Sequence, residues 1–228
     1  MNISKSKAKI ETEEYMANGA AIHFRYQSNP IEGFLFTRLQ LYTIIADFNN
    51  HIFMMLGVKG TGANAHLNLI LGSVNCANNE LDVNNLIEST LPPHTQNVNI
   101  AGSPPEIKYF NQGRPVSKPE LEAMQNKFQN SNNNAHLTST NGTKVKGYHF
   151  VHSDIYYLDL RESVDANNQD DLFIFMPVIR DQWNMPFDRE YLSMGVAEFD
   201  VNTSQTKGTI IEYCLPCPSA CPKNYPIQ

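Results

Sequence analysis

The chain is short of charge, and shorter still of positive charge. Asp, Glu, Lys and Arg make up 18% of its 228 residues, and 17 basic side chains face 23 acidic ones for a net charge of -6. Nucleic-acid binders cluster Lys and Arg to displace counterions from phosphate, so this balance excludes a nucleic-acid partner. The one basic run, Lys5, Lys7 and Lys9, is followed at once by Glu11, Glu13 and Glu14 and reads as a solvated helix face. Those glutamates stand where a secretory leader needs an apolar core. A membrane span takes ~20 uninterrupted apolar residues, and the most apolar stretch, 34–58, is broken by Arg38, Asp47, Asn49, Asn50 and His51. The expectation is a cytoplasmic protein with no membrane partner.

Catalytic signatures are also missing. The sequence has no nucleophile elbow, Walker loop, dinucleotide fingerprint or His-Glu-x-x-His stretch. Its one glycine-rich loop, Lys59-Gly-Thr-Gly-Ala-Asn64, lacks the Lys-Ser/Thr of a phosphate cradle and reads as a plain connection. Binding is therefore expected ahead of catalysis.

What is present suffices for a core, since 41% of the residues are hydrophobic. A helix is predicted over 4–17, with Ser4 or Ser6 as N-cap, Ile10, Tyr15, Met16 and Ala17 as its apolar stripe and Asn18-Gly19 as its stop. Gly33 to Phe36 reads as a strand, and Thr37-Arg-Leu-Gln40 as a capping box opening a helix to Phe48. Ile52 to Val58 and Leu67 to Val74 are apolar runs suited to strands, and 83–90 is predicted to be a brief helix. Prolines 92, 93, 104, 105 and 115 mark a connector. Beyond it Ser117 caps a helix to Asn130, and strands are predicted at 147–151, 172–179, 192–201 and 209–213, with a short helix or extended segment at 153–161.

The two passes repeat one order of elements: helix, loop, strand, short helix, apolar strand, loop, strand. Ile3-Ser4-Lys5 matches Val116-Ser117-Lys118, and Ile31-Glu-Gly33-Phe34-Leu-Phe36 matches Val145-Lys-Gly147-Tyr148-His-Phe150, with Tyr42 opposite Tyr156. Beyond Tyr42, residues 53–58 meet 172–178 only with a shifted register. The expected fold is α/β, of mixed α+β type, built from two similar strand-helix-strand halves as a pseudo-twofold internal duplication. The organisation is a first half at 1–91, a connector at 92–115, a second half at 116–213 and a Cys/Pro-rich tail at 214–228.

The helix start at Ile3-Ser4-Lys5, the Phe-rich strand and helix, the strand Ile52 to Val58 and the tail Cys217-Pro-Ser-Ala-Cys221-Pro222 together resemble a group of uncharacterised proteins from Bacteroidetes-type genomes. That resemblance implies no activity.

Three of the four cysteines, Cys214, Cys217 and Cys221, fall in this tail. With Cys76 or a histidine they have the number and type of ligands a structural zinc takes, and three close thiolates also suit an iron-sulfur cluster. The simpler reading is a rigid tail whose thiols pack against the body or stay reduced. A Cys-x-Pro-Cys redox pair is disfavoured, because Pro218, Pro222 and Pro226 prevent the helix that would activate it. His149 and His152 suit metal or acid-base work only if a turn at Val151 brings them together. Trp183, in a loop between strands, suits an interface anchor, and Tyr148 and Tyr156 are further candidates at the junction of the halves. The expected function is a non-enzymatic interaction or scaffolding module that binds a protein or itself. No cofactor is required, and zinc is the one the cysteines would accept.

Overall fold

Ser4 opens the first helix, α1 (Lys5–Ala17), its Oγ accepting the Lys7 N–H at 3.2 Å. The capping box at Thr37 forms as its residues dictate. The Gln40 N–H donates to Thr37 Oγ1 at 3.2 Å and the Thr37 N–H to Gln40 Oε1 at 2.7 Å, starting α2 (Arg38–Ile45). The third helix, α3 (Lys118–Asn130), follows Ser117. The computed structural model describes residues 1–17, 25–45, 50–92, 98, 100, 114–130, 144–150, 164–180, 191–212, 215–217, 221–225 and 227.

The strands are β1 (Asn2–Ile3), β2 (Arg25–Tyr26), β3 (Asn29–Pro30), β4 (Phe34–Thr37), β5 (Asn50–Lys59), β6 (His66–Asn75), β7 (Glu80–Glu88), β8 (Arg114–Pro115), β9 (Gly147–Phe150), β10 (Leu172–Arg180), β11 (Tyr191–Asp200), β12 (Gln205–Glu212) and β13 (Leu215–Cys217). All paired neighbours in the named strands are antiparallel. One sheet runs β1-β7-β6-β5-β9-β13 and the other β4-β10-β11-β12-β8, with β2 and β3 forming a small ribbon. The mixed α+β class therefore holds. The helix predicted at 83–90 does not form, because those residues complete β7 between β6 and β1.

Each sheet takes a strand from the other half of the sequence. β9 pairs with β5, and β4 pairs with β10. The expected division at 92–115 thus separates the chain in sequence without separating the sheets. Both strand orders also run alike, with a short leading strand, the last, middle and first strands of a meander, and then the borrowed strand. Met54 lies opposite Tyr148 and Phe175 opposite Phe34, and each meander carries a register shift between its middle and last strands, Gly72/Val74 and Val196/Glu198.

Strand alternation sorts the core into layers. Met54, Leu56, Leu69, Leu71, Tyr148 and Phe150 from one sheet share a buried cluster with Phe34, Phe36, Phe173, Phe175, Met194 and Val196 from the other. The outer face of the first sheet, with Phe53, Met55 and Ile70, packs with Ala8 of α1. The outer face of the second, with Ile174, Met176 and Ala197, packs with Leu121 and Met124 of α3. The layers are thus helix, sheet, sheet, helix. The buried face of α1 is Ala8, Glu11, Thr12 and Tyr15, whereas Ile10, expected in its apolar stripe, is 66% exposed.

Candidate functional site

Two carboxylates are sealed at the ends of the meanders. Glu88 ends β7 and Glu212 ends β12, each followed by the same pattern, in Ile87-Glu88-Ser-Thr-Leu91-Pro92 and Ile211-Glu212-Tyr-Cys-Leu215-Pro216. Each meets a cation from the end of its meander's first strand. Lys59 Nζ lies 3.1 Å from Glu88, and Arg180 Nη1 lies 3.3 Å from Glu212. Lys7 also donates to both Glu88 oxygens at 2.8 Å, and Ser193 donates to Glu212 at 2.6 Å. Burial pushes the Glu88 carboxyl up, but the hydrogen bonds and charges of Lys7 and Lys59 outweigh it and hold it below the ordinary value. Next to it Glu11, raised by burial, accepts from Asn68 at 2.6 Å, and Ser89 donates to the same Asn68 side chain at 2.8 Å. Chemically these are buried carboxylates held by a cation and by hydrogen-bond donors. Their recurrence at matched positions in both sheets is what structural pairs would show.

His149 points to the outer face of the first sheet, its ring centroid 6.2 Å from that of His51 and 5.0 Å from that of Phe53. It is buried, and its Nε2 has no hydrogen-bond partner among the described residues. Burial first, and then the neighbouring His51, push its pKa down to about 4. The sign follows directly. An unfolded His149 takes up a proton near pH 6.5 while the folded one stays neutral to about pH 4, so stability is full above pH 6.5 and falls as pH drops towards 4. The loss reaches about 3 kcal/mol at ~1.4 kcal/mol per unit. His149→Leu is expected to flatten this part of the profile, measured as urea midpoints between pH 7 and 4. An unchanged slope would remove His149 as the cause. Its expected companion, His152, lies outside the described residues.

The other residues singled out from sequence are dispersed. Tyr148 is fully buried in the cluster between the sheets. Trp183, Tyr156 and Cys214 lie outside the described residues. The backbone at Cys217 belongs to β13, which edges β9. Cys76 is exposed on the turn after β6. Of the two outcomes expected for the tail thiols, Cys221 shows the first: it packs against the outer cluster of the first sheet, and it is disulfide-bonded rather than reduced. The turn carrying Cys76 does meet the tail: Asn79 Nδ2 donates to the Cys221 carbonyl at 3.3 Å and the Lys223 N–H to the Asn79 carbonyl at 2.7 Å. No group of three or more His, Cys, Asp or Glu able to hold a metal occurs among the described residues. None of the described helices is long and apolar enough to cross a membrane.

The tail continues over the outer face of the first sheet. The Tyr225 hydroxyl donates to the Lys146 carbonyl at 3.0 Å, its ring packs on Phe53, and Ile227 is buried beside Ala8 and Phe53. Val98 and Ile100 of the connector pack against the outer cluster of the second sheet in the same way. Each of these segments forms one wall of a groove beside a helix. The groove along α1, of about 660 Å³, is lined by Lys9, Thr12, Met16, Lys146, Tyr225 and Ile227. The groove along α3, of about 400 Å³, is lined by Glu122, Gln125, Gln129, Glu32, Val98 and Ile100. Under the sequence correspondence of Ser4 with Ser117 and Gly33 with Gly147, Lys9, Thr12, Met16 and Lys146 fall on Glu122, Gln125, Gln129 and Glu32, while Tyr225 and Ile227 stand against Val98 and Ile100 only in that each pair follows a meander. Sequence reasoning missed both grooves, although Asn97-Val-Asn-Ile100 and Asn224-Tyr-Pro-Ile227 carried a signal for their walls.

No protein-family model, curated protein or solved structure matches the chain.

Proposed function

We propose that the chain is an internal duplication whose strand-exchanged halves form a non-enzymatic interaction module, presenting two matched grooves on its outer faces. The observation that carries this reading is the pair of grooves, each lined by a helix on one side and by residues that follow a meander on the other. Supporting the duplication are the like strand orders, the two register shifts, and the ion pairs Lys59–Glu88 and Arg180–Glu212 at corresponding places. A groove with an apolar wall and a charged rim suits a protein surface, the usual make-up of transient interfaces. Neither buried carboxylate lines a groove, which separates the polar networks from the accessible surface and favours binding over catalysis.

Lysine cross-linking in native extract tests this. Lys9 and Lys118, which line the two grooves and are about half exposed, are expected to yield links to another chain. Exclusively intramolecular links would overturn the reading. So would one zinc or iron per chain in the purified protein that is lost on deleting residues 214–228, which would move the function to the cysteine tail.

A further inference from the structure

The two grooves are alike in construction but opposite in sign. Where the α1 groove has Lys9 and Lys146, the α3 groove has Glu122 and Glu32 at the corresponding positions. Each rim also holds one charge of the other sign on its own helix, Glu13 at 3.8 Å from Lys9 and Lys118 at 3.7 Å from Glu122. The lining charges therefore sum to one positive on α1 and one negative on α3. The exposed i,i+4 pairs are weak and free to exchange partners.

Resting on the reading above, we propose that the partner is a second copy of this chain, the α1 groove of one copy docking on the α3 groove of the next. The charges select this contact over its alternatives. Two α1 grooves would set Lys9 and Lys146 against lysines, and two α3 grooves would set Glu32 and Glu122 against glutamates. The mixed contact brings lysines to glutamates whichever of the matched positions meet. Like-charge juxtaposition at an interface costs several kcal/mol, so it acts against the two isologous dimers. Ile10, 66% exposed beside Lys9, supplies an apolar anchor, and the position corresponding to it on α3 is the small, exposed Ala123. Because α1 and α3 cover opposite outer layers, each copy keeps one groove open after the first contact. The association is heterologous, and it grows into a chain or closes as a ring.

Sedimentation of the full chain across protein concentration reads this directly. The average mass is expected to climb above the 25.8 kDa of one chain, and less so at high salt. Lys9→Glu and Glu122→Lys change exposed side chains and are each expected to weaken association about tenfold or more, a factor of ten being about 1.4 kcal/mol. An equimolar mixture of the two variants is expected to regain it, since each then meets a complementary groove, and a regain in mixture shows that both variants are folded. A wild-type chain that stays at one mass up to millimolar concentration would overturn the proposal. So would variants that associate as well as the wild type, or a mixture that regains nothing. A single-mass chain that still cross-links from Lys9 or Lys118 to a different protein would end self-association while leaving the interaction module standing.

Discussion

Replacing Arg180 by Met is expected to cost the fold about 3–5 kcal/mol, the penalty for leaving a charge sealed without its counter-ion. Glu212 is 0% exposed and Arg180 5%, so water cannot take over when the guanidinium is removed. Ser193 donates to Glu212, but a neutral donor does not replace a cation. The double variant Arg180→Met, Glu212→Met is expected to recover most of the loss, because apolar pairs of similar volume replace buried ion pairs at little cost. The matched substitution Lys59→Met should cost much less. Lys59 is 38% exposed, and Lys7 remains on Glu88. Chemical denaturation of the four proteins checks this. Equal losses for Arg180→Met and Lys59→Met would show that burial does not govern the pair.

Gly147→Ala is expected to be the more damaging of two matched glycine substitutions, costing about 3 kcal/mol or preventing soluble expression. A Cβ at Gly147 would collide with the Met54 carbonyl oxygen and stand 2.9 Å from Phe53 Cζ. The first of these is strand backbone, which cannot yield without opening the pairing of β5 with β9, and overpacking costs about 1–3 kcal/mol even where side chains can move. At Gly33 the corresponding Cβ would meet Ile174 Cγ1 and Cδ1 at 2.5 Å, a side chain able to change rotamer. Gly33→Ala is therefore expected to cost about half as much. Thermal midpoints of the two variants decide, and a Gly33→Ala protein less stable than Gly147→Ala would contradict the account.

Much of this architecture was legible because local chemistry and tertiary packing agree. Ser4, Thr37 and Ser117 announced three helices, and the apolar runs at 52–58, 67–74 and 172–179 became strands buried on both faces. β7 was not legible. Asp82-Val-Asn-Asn85 has poor strand propensity, and only its neighbours β6 and β1 fix it as extended. Ile10 misled because an isoleucine in a helix suggests the core, whereas α1 turns Glu11 and Thr12 inward to meet Asn68 and the sheet. The sequence likeness between the two halves holds where its spacing stays near 113 and then fades. Pairing partners set Phe53 with Ile174, opposite His149 and Leu35 respectively, two places away from a match to Leu172. The pattern Ile87-Glu-x-x-Leu-Pro recurs at Ile211 with a spacing of 124, outside a search at a constant offset near 113. The grooves could not be read at all, since their walls come from segments far apart in sequence.

The exchange of β4 and β9 bears on how the polypeptide matures during translation. When residue 91 leaves the ribosome, β5 already has its hairpin partner β6, yet its other edge waits for β9, which begins at Gly147, and β4 has only the bridge of Leu35 with Thr90 while its strand partner β10 is still to come. An unpaired strand edge is an invitation to aggregate, and pairings so distant in sequence form slowly. The nascent amino-terminal half is the stage at which a chaperone would matter, and synthesis halted at residue 113 should release an insoluble fragment rather than a stable subdomain.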